Sequence, residues 1–394
     1  MDTNKQTSKV AAIVLAAGMS QRMGIPKQLM PLGDKTLLEH ALANLRASDV
    51  EEIVLVLGAH AEEIEEKIST EGLKVVINTL YEQGMGTSLR AGLAAVDPAM
   101  RAAMVVLADQ PFVRPSTLSQ LIAYQAEHNS QITLPLYKGF RGNPVLLHRS
   151  IFPELNSLAG DVGCRTIFGG HTEDIHKMPV TDLGVLLDID TFDDLRHLRL
   201  LSGQQEASGQ DQAGENPTQT PAKAQSNDLE SRPHVDQNHS ELVIVGHDEV
   251  AQMLGHLARV LGFVTTFVDP LLSLEDLPEA DRVLHALDFS QIPGEPRFVV
   301  VASRGLCDEE AIHEALATNA AYVGLLANRK RAAEVMNSLR QQGLEQEKLD
   351  QVRAPAGLPI NAETPEEIAL SILAQVVAAR NAAKKSTTNP ASEG

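Results

Sequence analysis

The sequence predicts an α/β protein with two domains, each built on a mostly parallel sheet with helices on both faces. Short apolar runs alternate with amphipathic stretches; the runs are residues 10–15, 53–57, 75–77 and 104–107, and the stretches are 36–47, 61–68 and 88–96. Buried continuous strands that alternate with helices are typical of a parallel sheet. After a long polar segment, a strand, a glycine, a helix and a second strand follow one another over residues 242–269, which predicts a second sheet of the same kind.

The domain boundaries follow from composition. A chain of 394 residues is too long for one ordinary core. Residues 203–239 are rich in Gln, Ser, Asn, Gly and Pro and have little to bury. We therefore expect a first domain over 1–201, a disordered linker over 202–239, a smaller Rossmann-like domain over 240–381 and a flexible tail over 382–394. The last helix, at 364–380, is predicted to begin with a capping box of Thr364 and Glu367.

Composition excludes several classes of function. The formal net charge of −19 argues against a protein that binds nucleic acid or a membrane surface, because both require a basic face. No apolar run approaches the roughly 20 residues that span a bilayer, and the first nine residues, MDTNKQTSK, lack the apolar core of a signal peptide. Cys164 and Cys307 lie in different halves, so no disulfide framework is indicated. These features predict a cytoplasmic protein.

The clearest candidate site follows the first strand, in the segment VAAIVLAAGMSQRMGIPKQLMP. The strand ends in Ala16, Ala17 and Gly18, and two cations, Arg22 and Lys27, come shortly after it. Backbone N–H groups at such a turn, together with an Arg and a Lys, favour a polyphosphate ligand. A short motif is weak by itself, since the same residues also suit a plain turn with solvated charges.

Two aspartates add to this site. Asp109 follows the apolar strand at 104–107, and Asp190 lies at another predicted strand end. Ligands of parallel sheets collect at the carboxyl ends of strands, so the two carboxylates can meet there. Mg²⁺ is commonly held by one or two carboxylates with substrate phosphates and water. Acids at strand ends are also common turn formers, so the residues alone leave both interpretations open.

Six segments, taken in order, resemble the MobA-like nucleotidyltransferases, and most closely the molybdenum cofactor cytidylyltransferases. They are LAAGMSQRMGIPKQLMPL, YEQGMGTSLRAGL, VLADQPFV, RGNPVLLH, GDVGCRTIF and DIDTFDDL. The resemblance spans nearly the whole first domain. It implies a Rossmann-like nucleotidyltransferase domain with Mg²⁺, or Mn²⁺ in its place, as the metal.

The resemblance also implies the roles of individual residues. The expected catalytic residues are Arg22, Lys27 and Asp109, and the expected metal ligands are Asp109 and Asp190. The nucleotide is expected to lie against Ala16, Ala17, Gly18, Arg22, Lys27, Gly84, Gly86, Thr87 and Ser88. The acceptor is expected to contact Arg141, Asn143, Asp161 and Arg165. Relatives usually have His where Asn143 stands; Asn can replace His as a hydrogen-bond partner but is unable to carry its charge.

The implied reaction moves CMP from CTP to the terminal phosphate of Mo-molybdopterin, giving molybdopterin cytosine dinucleotide and pyrophosphate. The Cβ of Ala17, where guanylyl-transferring relatives have Gly, narrows the base pocket and favours a pyrimidine by about 1–3 kcal/mol. Two alternatives stay open. One is a nucleotidyltransferase with GTP or another acceptor, and the other is a non-catalytic carrier or chaperone of the molybdenum cofactor.

The second domain resembles the C-terminal Rossmann domain of the XdhC/CoxI accessory family, through FVVVASRGLCDEEAI, YVGLLANRKR and APAGLPINAETPEEIALSILAQ. The resemblance implies a partner of the xanthine dehydrogenase type, an apo molybdenum hydroxylase. The family's GAGHVG opening is replaced here by residues 246–251, GHDEVA. Asp248 would repel a pyrophosphate and Ala251 would block its approach, so NAD is not expected and Asp269 is interpreted as a simple strand end.

Overall fold

The computed structural model describes residues 9–19, 26–156, 163–171, 174–189, 228–233, 235 and 239–387. The chain divides into two compact units, Met1–Tyr137 with Arg141–Ala224, and Lys138–Phe140 with Gln225–Gly394. Within the described ranges, none of the helices combines the length and apolar content that crossing a bilayer requires.

The first unit is built on one mixed sheet. Its strands are β1 (Val10–Ala16), β4 (Glu52–Leu57), β5 (Lys74–Ile77), β6 (Ala102–Leu107), β7 (Ile132–Tyr137), β8 (Phe140–Arg141), β9 (Val145–His148) and β10 (Ile175–Val180), with β2 (Pro31–Leu32) and β3 (Lys35–Thr36) forming a separate hairpin. The order is β10-β7-β9-β6-β1-β4-β5, and β8 pairs with β7. The pairs of β1 with β4 and β6 are parallel, whereas β9 runs antiparallel to β6 and β7. The predicted, mostly parallel sheet is therefore confirmed.

Helices cover both faces of this sheet. They are α1 (Leu37–Arg46), α2 (Ala61–Lys67), α3 (Met85–Ala95), α4 (Pro115–His128) and α5 (Phe152–Leu155). Alternate residues of β1 enter opposite cores: Ala12 and Val14 pack with the cluster that includes α1 and α4, and Ile13 packs with α3. The central strands β1, β4 and β6 are thus buried on both sides, which explains their continuous apolar runs in the sequence.

The second unit has a sheet of its own. Its strands are β11 (Leu229–Ser231), β12 (Glu241–Val245), β13 (Val264–Val268), β14 (Arg282–Leu284), β15 (Arg297–Val301), β16 (Tyr322–Leu325) and β17 (Val352–Arg353). The order is β11-β14-β13-β12-β15-β16-β17, and every pair is parallel except β11 with β14. The helices are α6 (Glu249–Val260), α7 (Asp308–Ala317), α8 (Arg329–Gln341), α9 (Gln346–Leu349) and α10 (Pro365–Thr387). This is the second Rossmann-type domain that the sequence predicts.

The structure differs from the predicted boundaries at two places. The predicted linker contains β11, which pairs with β14 at the sheet edge; three residues are too few for a readable strand pattern. The final helix continues to Thr387 instead of ending near residue 381, because Ala382, Ala383 and Lys384 are good helix formers. Its capping box is confirmed, with Thr364 Oγ1 accepting from the Glu367 N–H at 3.3 Å and Glu367 Oε2 accepting from the Thr364 N–H at 3.2 Å.

Candidate active site

The first residues of the loop after β1, Ala17 and Gly18, are held in place by neighbouring residues. The side-chain amide of Gln28 donates to the carbonyl oxygens of Ala16 at 2.9 Å and Gly18 at 3.3 Å, and so ties the two ends of the turn together. Gly58 lies so close to Ala17 that a Cβ added to Gly58 would be only 2.8 Å from the Cβ of Ala17. Ala17 is therefore fixed between the turn and the end of β4, while a Cβ at Gly18 would meet open space.

Lys27 and Asp109 meet at this loop. Lys27 begins a 3-10 turn at Lys27–Leu29, and Asp109 stands two residues beyond the end of β6. The Lys27 ammonium donates to Asp109 Oδ2, and the two side chains are only 22% and 15% exposed. Lysine thus neutralises one carboxylate oxygen at the carboxyl edge of the sheet.

The other oxygen of the same carboxylate, Oδ1, is buried and has no hydrogen-bond partner among the described residues. A buried, negatively charged oxygen without a partner is costly, and a hard divalent cation is the kind of ligand that such an oxygen accepts. Asp109 therefore fits a metal ligand. No cluster of three or more His, Cys, Asp or Glu side chains that could hold a metal occurs in the described part of the chain, so the remaining ligands would come from substrate, water or residues outside it.

The opposite wall is formed by the segment between β5 and α3. A 3-10 turn at Tyr81–Gln83 leads to Gly84, whose φ of +102° suits glycine, and α3 begins at Met85. Asn78, buried at the end of β5, donates to Thr87 Oγ1 and Ser88 Oγ, both at 2.9 Å. One buried amide thus connects the strand end to the first turn of α3.

The two walls enclose a cleft of about 520 Å³. Of the predicted residues, the structure places six along it: Ala17, Gly18, Lys27, Gly84, Ser88 and Asp109. The other lining residues are Leu15, Met19, Gln28, Tyr81, Glu82, Gln83, Met85, Leu107 and Ala108.

Other predicted residues are not brought to this cleft. Ala16 is buried in the core, and Gly86 and Thr87 are buried within the start of α3. Arg141 is 7% exposed on β8, and Asn143 donates its N–H to the Val185 carbonyl at 2.9 Å. These two residues remain predictions for the acceptor.

The remaining predicted residues cannot be placed. Arg22, Asp161 and Asp190 lie outside the described residues, as does the side chain of Arg165. However, Ile189, the residue before Asp190, is fully buried and donates its N–H to the Asp109 carbonyl at 3.0 Å. The chain therefore passes directly beside Asp109 immediately before Asp190.

Sequence reasoning missed three residues that shape the cleft: Gln28, Gly58 and Asn78. Gly58 and Asn78 each follow the last residue of a strand, β4 and β5 respectively. Asp109 was singled out by a similar position, two residues beyond β6, so the same rule applied to every strand end would have found them. Gln28 has no such signal, because its role depends on its reaching the turn ten residues earlier.

The corresponding loop of the second unit is filled by its own side chains. Asp248 caps α6: its Oδ1 accepts from the Ala251 N–H at 2.8 Å and its Oδ2 accepts from Arg304 Nε at 3.0 Å. His247 Nδ1 lies 2.6 Å from Asp269 Oδ2, and this bond raises the pKa of the imidazole above its usual range. A dinucleotide would need this helix N-terminus for its pyrophosphate and this acid for its ribose. The residues present do not fit that group.

Two different protein families match the two compact units of the chain. The MobA-like NTP transferase domain matches residues 12–175, and the XdhC Rossmann domain matches residues 242–376. Nicotine blue oxidoreductase of Paenarthrobacter nicotinovorans is 28% identical over 198 residues, which are 48% of this chain and 96% of that protein. Molybdenum cofactor cytidylyltransferase of Escherichia coli K12 is 26% identical over 190 residues, which are 48% of this chain and 94% of that protein.

Among solved structures, Rv0371c of Mycobacterium tuberculosis H37Rv is 34% identical and covers 50% of this chain and 99% of its own, with a TM-score of 0.46. The two family matches lie in different units, one on each sheet. The chain therefore combines a MobA-like NTP transferase domain with an XdhC Rossmann domain.

Proposed function

We propose that the first unit transfers CMP from CTP to the terminal phosphate of Mo-molybdopterin, releasing pyrophosphate and forming molybdopterin cytosine dinucleotide. The observation that carries this proposal is the Lys27–Asp109 pair beside the Ala17–Gly18 loop, with one buried carboxylate oxygen left for a cation. The product would serve the maturation of a molybdenum hydroxylase.

The chemistry asks little of the protein beyond charge and alignment. The acceptor phosphate is already ionised, so its oxygen attacks the α-phosphorus of CTP without a general base. The bond from that phosphorus to the bridging oxygen breaks, and the electron pair leaves with pyrophosphate. What must be supplied is neutralisation of charge and an in-line approach.

The residues predicted for the site have the following roles in this scheme. Lys27 would neutralise charge on the departing pyrophosphate, with Arg22 as its predicted partner, and the Ala17–Gly18 loop would hold the phosphates. Asp109 Oδ1 would hold Mg²⁺ or Mn²⁺, with Asp190 as the second predicted ligand, and the ion would supply further positive charge to the triphosphate when bound. The acceptor would lie toward Arg141, Asn143, Asp161 and Arg165.

The choice of base rests on Ala17. Its side chain lines the cleft and is fixed against Gly58, so the methyl group is unable to retreat from a ligand without moving backbone. A rigid methyl group at this point supports a pyrimidine over the larger purine. CTP is therefore proposed over GTP.

The named relatives do not choose between two chemistries, because a protein called an oxidoreductase and one called a cytidylyltransferase are similarly distant from this chain. What favours transfer is the Lys27–Asp109 pair, since hydride transfer has no need of a partnerless carboxylate oxygen beside a lysine. The two chemistries also release different products, so they are separated directly by experiment.

The deciding experiment measures pyrophosphate release from CTP, GTP, ATP and UTP with purified Mo-molybdopterin and Mg²⁺. We expect release that depends on both CTP and the acceptor. A preference for GTP would overturn the cytidylyl assignment. Oxidation of NADH or NADPH without pyrophosphate release would overturn nucleotidyl transfer itself.

For the second unit we propose a role in passing the product to an apo molybdenum hydroxylase of the xanthine dehydrogenase type, which the XdhC match supports. Tethering by the part of the polar segment that precedes β11 would raise the effective concentration of the receiving domain. The proposal is tested by maturation of such an enzyme with Asp109→Ala protein. Full maturation would favour the alternative, a non-catalytic carrier.

A further inference from the structure

The far wall of the cleft depends on one buried side chain. Asn78 is 5% exposed and its amide makes three hydrogen bonds. Its Oδ1 accepts from the Leu80 N–H at 3.0 Å, and its Nδ2 donates to Thr87 Oγ1 and Ser88 Oγ, both at 2.9 Å. The amide thus joins β5, the 3-10 turn and the first turn of α3.

The orientation of this amide is determined by its surroundings. The Leu80 N–H can only donate, so the atom that faces it must be the carbonyl oxygen of Asn78. The NH₂ group therefore faces the two hydroxyl oxygens. Both hydroxyls act as acceptors toward Asn78, and each still has its own hydrogen to donate elsewhere.

The two hydroxyl hydrogens have different destinations. Thr87 Oγ1 lies 2.9 Å from the Gly84 carbonyl and 3.0 Å from the Leu80 carbonyl, so its hydrogen stays inside the wall. For Ser88, no acceptor is present among the described residues, and Ser88 lines the cleft. Its hydrogen is therefore available to a ligand.

We propose that Asn78 is a positioning residue that makes Ser88 a hydrogen-bond donor to the nucleotide. The inference rests on the proposed function and adds to it that the nucleotide presents an acceptor atom, an oxygen or an unprotonated nitrogen, to Ser88. Thr87 serves the fold of the wall only. Of the two neighbouring hydroxyls that the sequence predicts as nucleotide ligands, the hydrogen-bond pattern assigns one to the ligand.

The test reverses the polarity of residue 78 while keeping its size. In Asn78→Asp, one carboxylate oxygen still accepts from the Leu80 N–H, but the other accepts where the amide donated. The Ser88 hydroxyl then turns its hydrogen toward the new carboxylate and away from the cleft. We expect CTP to bind about tenfold more weakly, as expected for the loss of one hydrogen bond.

Ser88→Ala removes the same donor directly and should weaken CTP binding to a similar extent. Because both changes remove one donor, the double variant should bind CTP no more weakly than either single variant. A protonated carboxyl group can donate again, so the loss of CTP affinity in Asn78→Asp should become smaller as the pH is lowered. The loss of CTP affinity in Ser88→Ala should not change in this way. Gln125→Glu, at a buried amide on α4, is the matched control.

Calorimetry with CTP and Mn²⁺ on the full chain separates the outcomes. Additive losses for the two variants, or unchanged affinity in Asn78→Asp, would overturn the positioning role while leaving the proposed function standing. If the wild-type chain binds none of the four nucleoside triphosphates, the proposed function fails and the inference fails with it. Loss of affinity in Gln125→Glu equal to that in Asn78→Asp would show a structural effect and also overturn it.

Discussion

Each unit has a glycine turn at the carboxyl end of a central strand, and an aspartate at the end of a neighbouring or nearby strand. In the first unit, Asp109 has a buried oxygen without a partner in the described residues and faces a cleft of about 520 Å³. In the second, both oxygens of Asp269 are bonded, one to His247 and the other to the N–H groups of Leu271 and Leu272. We propose that the first arrangement serves a ligand, whereas in the second the hydrogen bonds of the aspartate all lie within the protein.

The comparison teaches that an aspartate at a strand end indicates a ligand site only when its hydrogen bonds are also known. An acid whose oxygens are all bonded within the protein stabilises its own loop. An acid with a partnerless buried oxygen carries an unfavourable free energy that a cation can relieve. The following predictions test that distinction, from the largest expected effect to the smallest.

The largest effect is expected from Asp109→Asn. The amide keeps the size of the side chain but loses the charge that pairs with Lys27 and that would hold a cation. We expect pyrophosphate release to fall on the order of 100-fold or more, as for loss of a major electrostatic group in an active site. The measurement is initial rate with CTP and saturating acceptor.

The matched control for this change is Asp269→Asn, the same substitution in the other unit. It should leave the rate of pyrophosphate release unchanged. If both variants lost the same fraction of the rate of pyrophosphate release, the hydrogen bonding of the two aspartates would not distinguish a functional acid from a structural one.

The second prediction concerns the rigidity of the first loop. In Gly58→Ala, the added Cβ would lie 2.8 Å from Ala17 Cβ and 2.9 Å from Tyr81 Cβ, and both residues line the cleft. Overpacking at such a point shifts backbone, so we expect CTP affinity to fall about tenfold. The affinity is measured by titration calorimetry. Gly170→Ala is the control, because a Cβ added at Gly170 meets nothing within 4 Å.

The third prediction concerns the second loop. Asp248→Ala removes the cap of α6 and should lower the free energy of unfolding of the second unit by about 1 kcal/mol. Hydrogen-exchange mass spectrometry in urea reports α6 separately from the first unit. Arg304→Ala, which removes only the exposed partner of Asp248, should cost less. A change in pyrophosphate release in Asp248→Ala would contradict the assignment of this loop to the fold.

The smallest effect is a dependence on pH. Asp269 raises the pKa of His247, with Asp248 adding to the shift and Arg304 opposing it. A raised folded-state pKa gives stabilisation that is complete below the ordinary value of 6.5 and is lost as the pH rises through the folded value. His247→Gln should therefore destabilise the second unit in acid and not in alkali. In an Asp269→Asn background, His247→Gln should lower the stability equally in acid and in alkali. A loss of stability in His247→Gln that grows as the pH rises would contradict the prediction.

Much of the fold follows from local sequence pattern. The strands β1, β4 and β6 are readable because both of their faces are buried, which leaves runs of apolar residues with no polar interruption. The capping boxes at Thr36 and Thr364 mark helix starts by side-chain chemistry alone. The antiparallel direction of β9 and the edge strand β11 were not predicted, because strand pairing depends on residues far away in the chain.

The site was predictable to the extent that its residues stand at strand ends. Lys27 and Asp109 were expected together, and the structure places them in contact. Thr87 and Ser88 are adjacent hydroxyls and look alike in sequence; their difference depends on where Asn78 and two carbonyl groups lie. Tertiary hydrogen bonding of this kind leaves no local pattern, so sequence reasoning was unable to separate them.

The bond from the Ile189 N–H to the Asp109 carbonyl bears on how the chain can be dissected. The match to the MobA-like domain model ends at residue 175, yet Asp182, beyond that point, accepts from the Arg114 N–H at 2.9 Å and from Thr117 Oγ1 at 2.7 Å. A fragment cut at the limit of similarity would leave the start of α4 uncapped and the backbone of Asp109 unsupported. The shortest fragment that keeps the cleft intact must extend past Ile189.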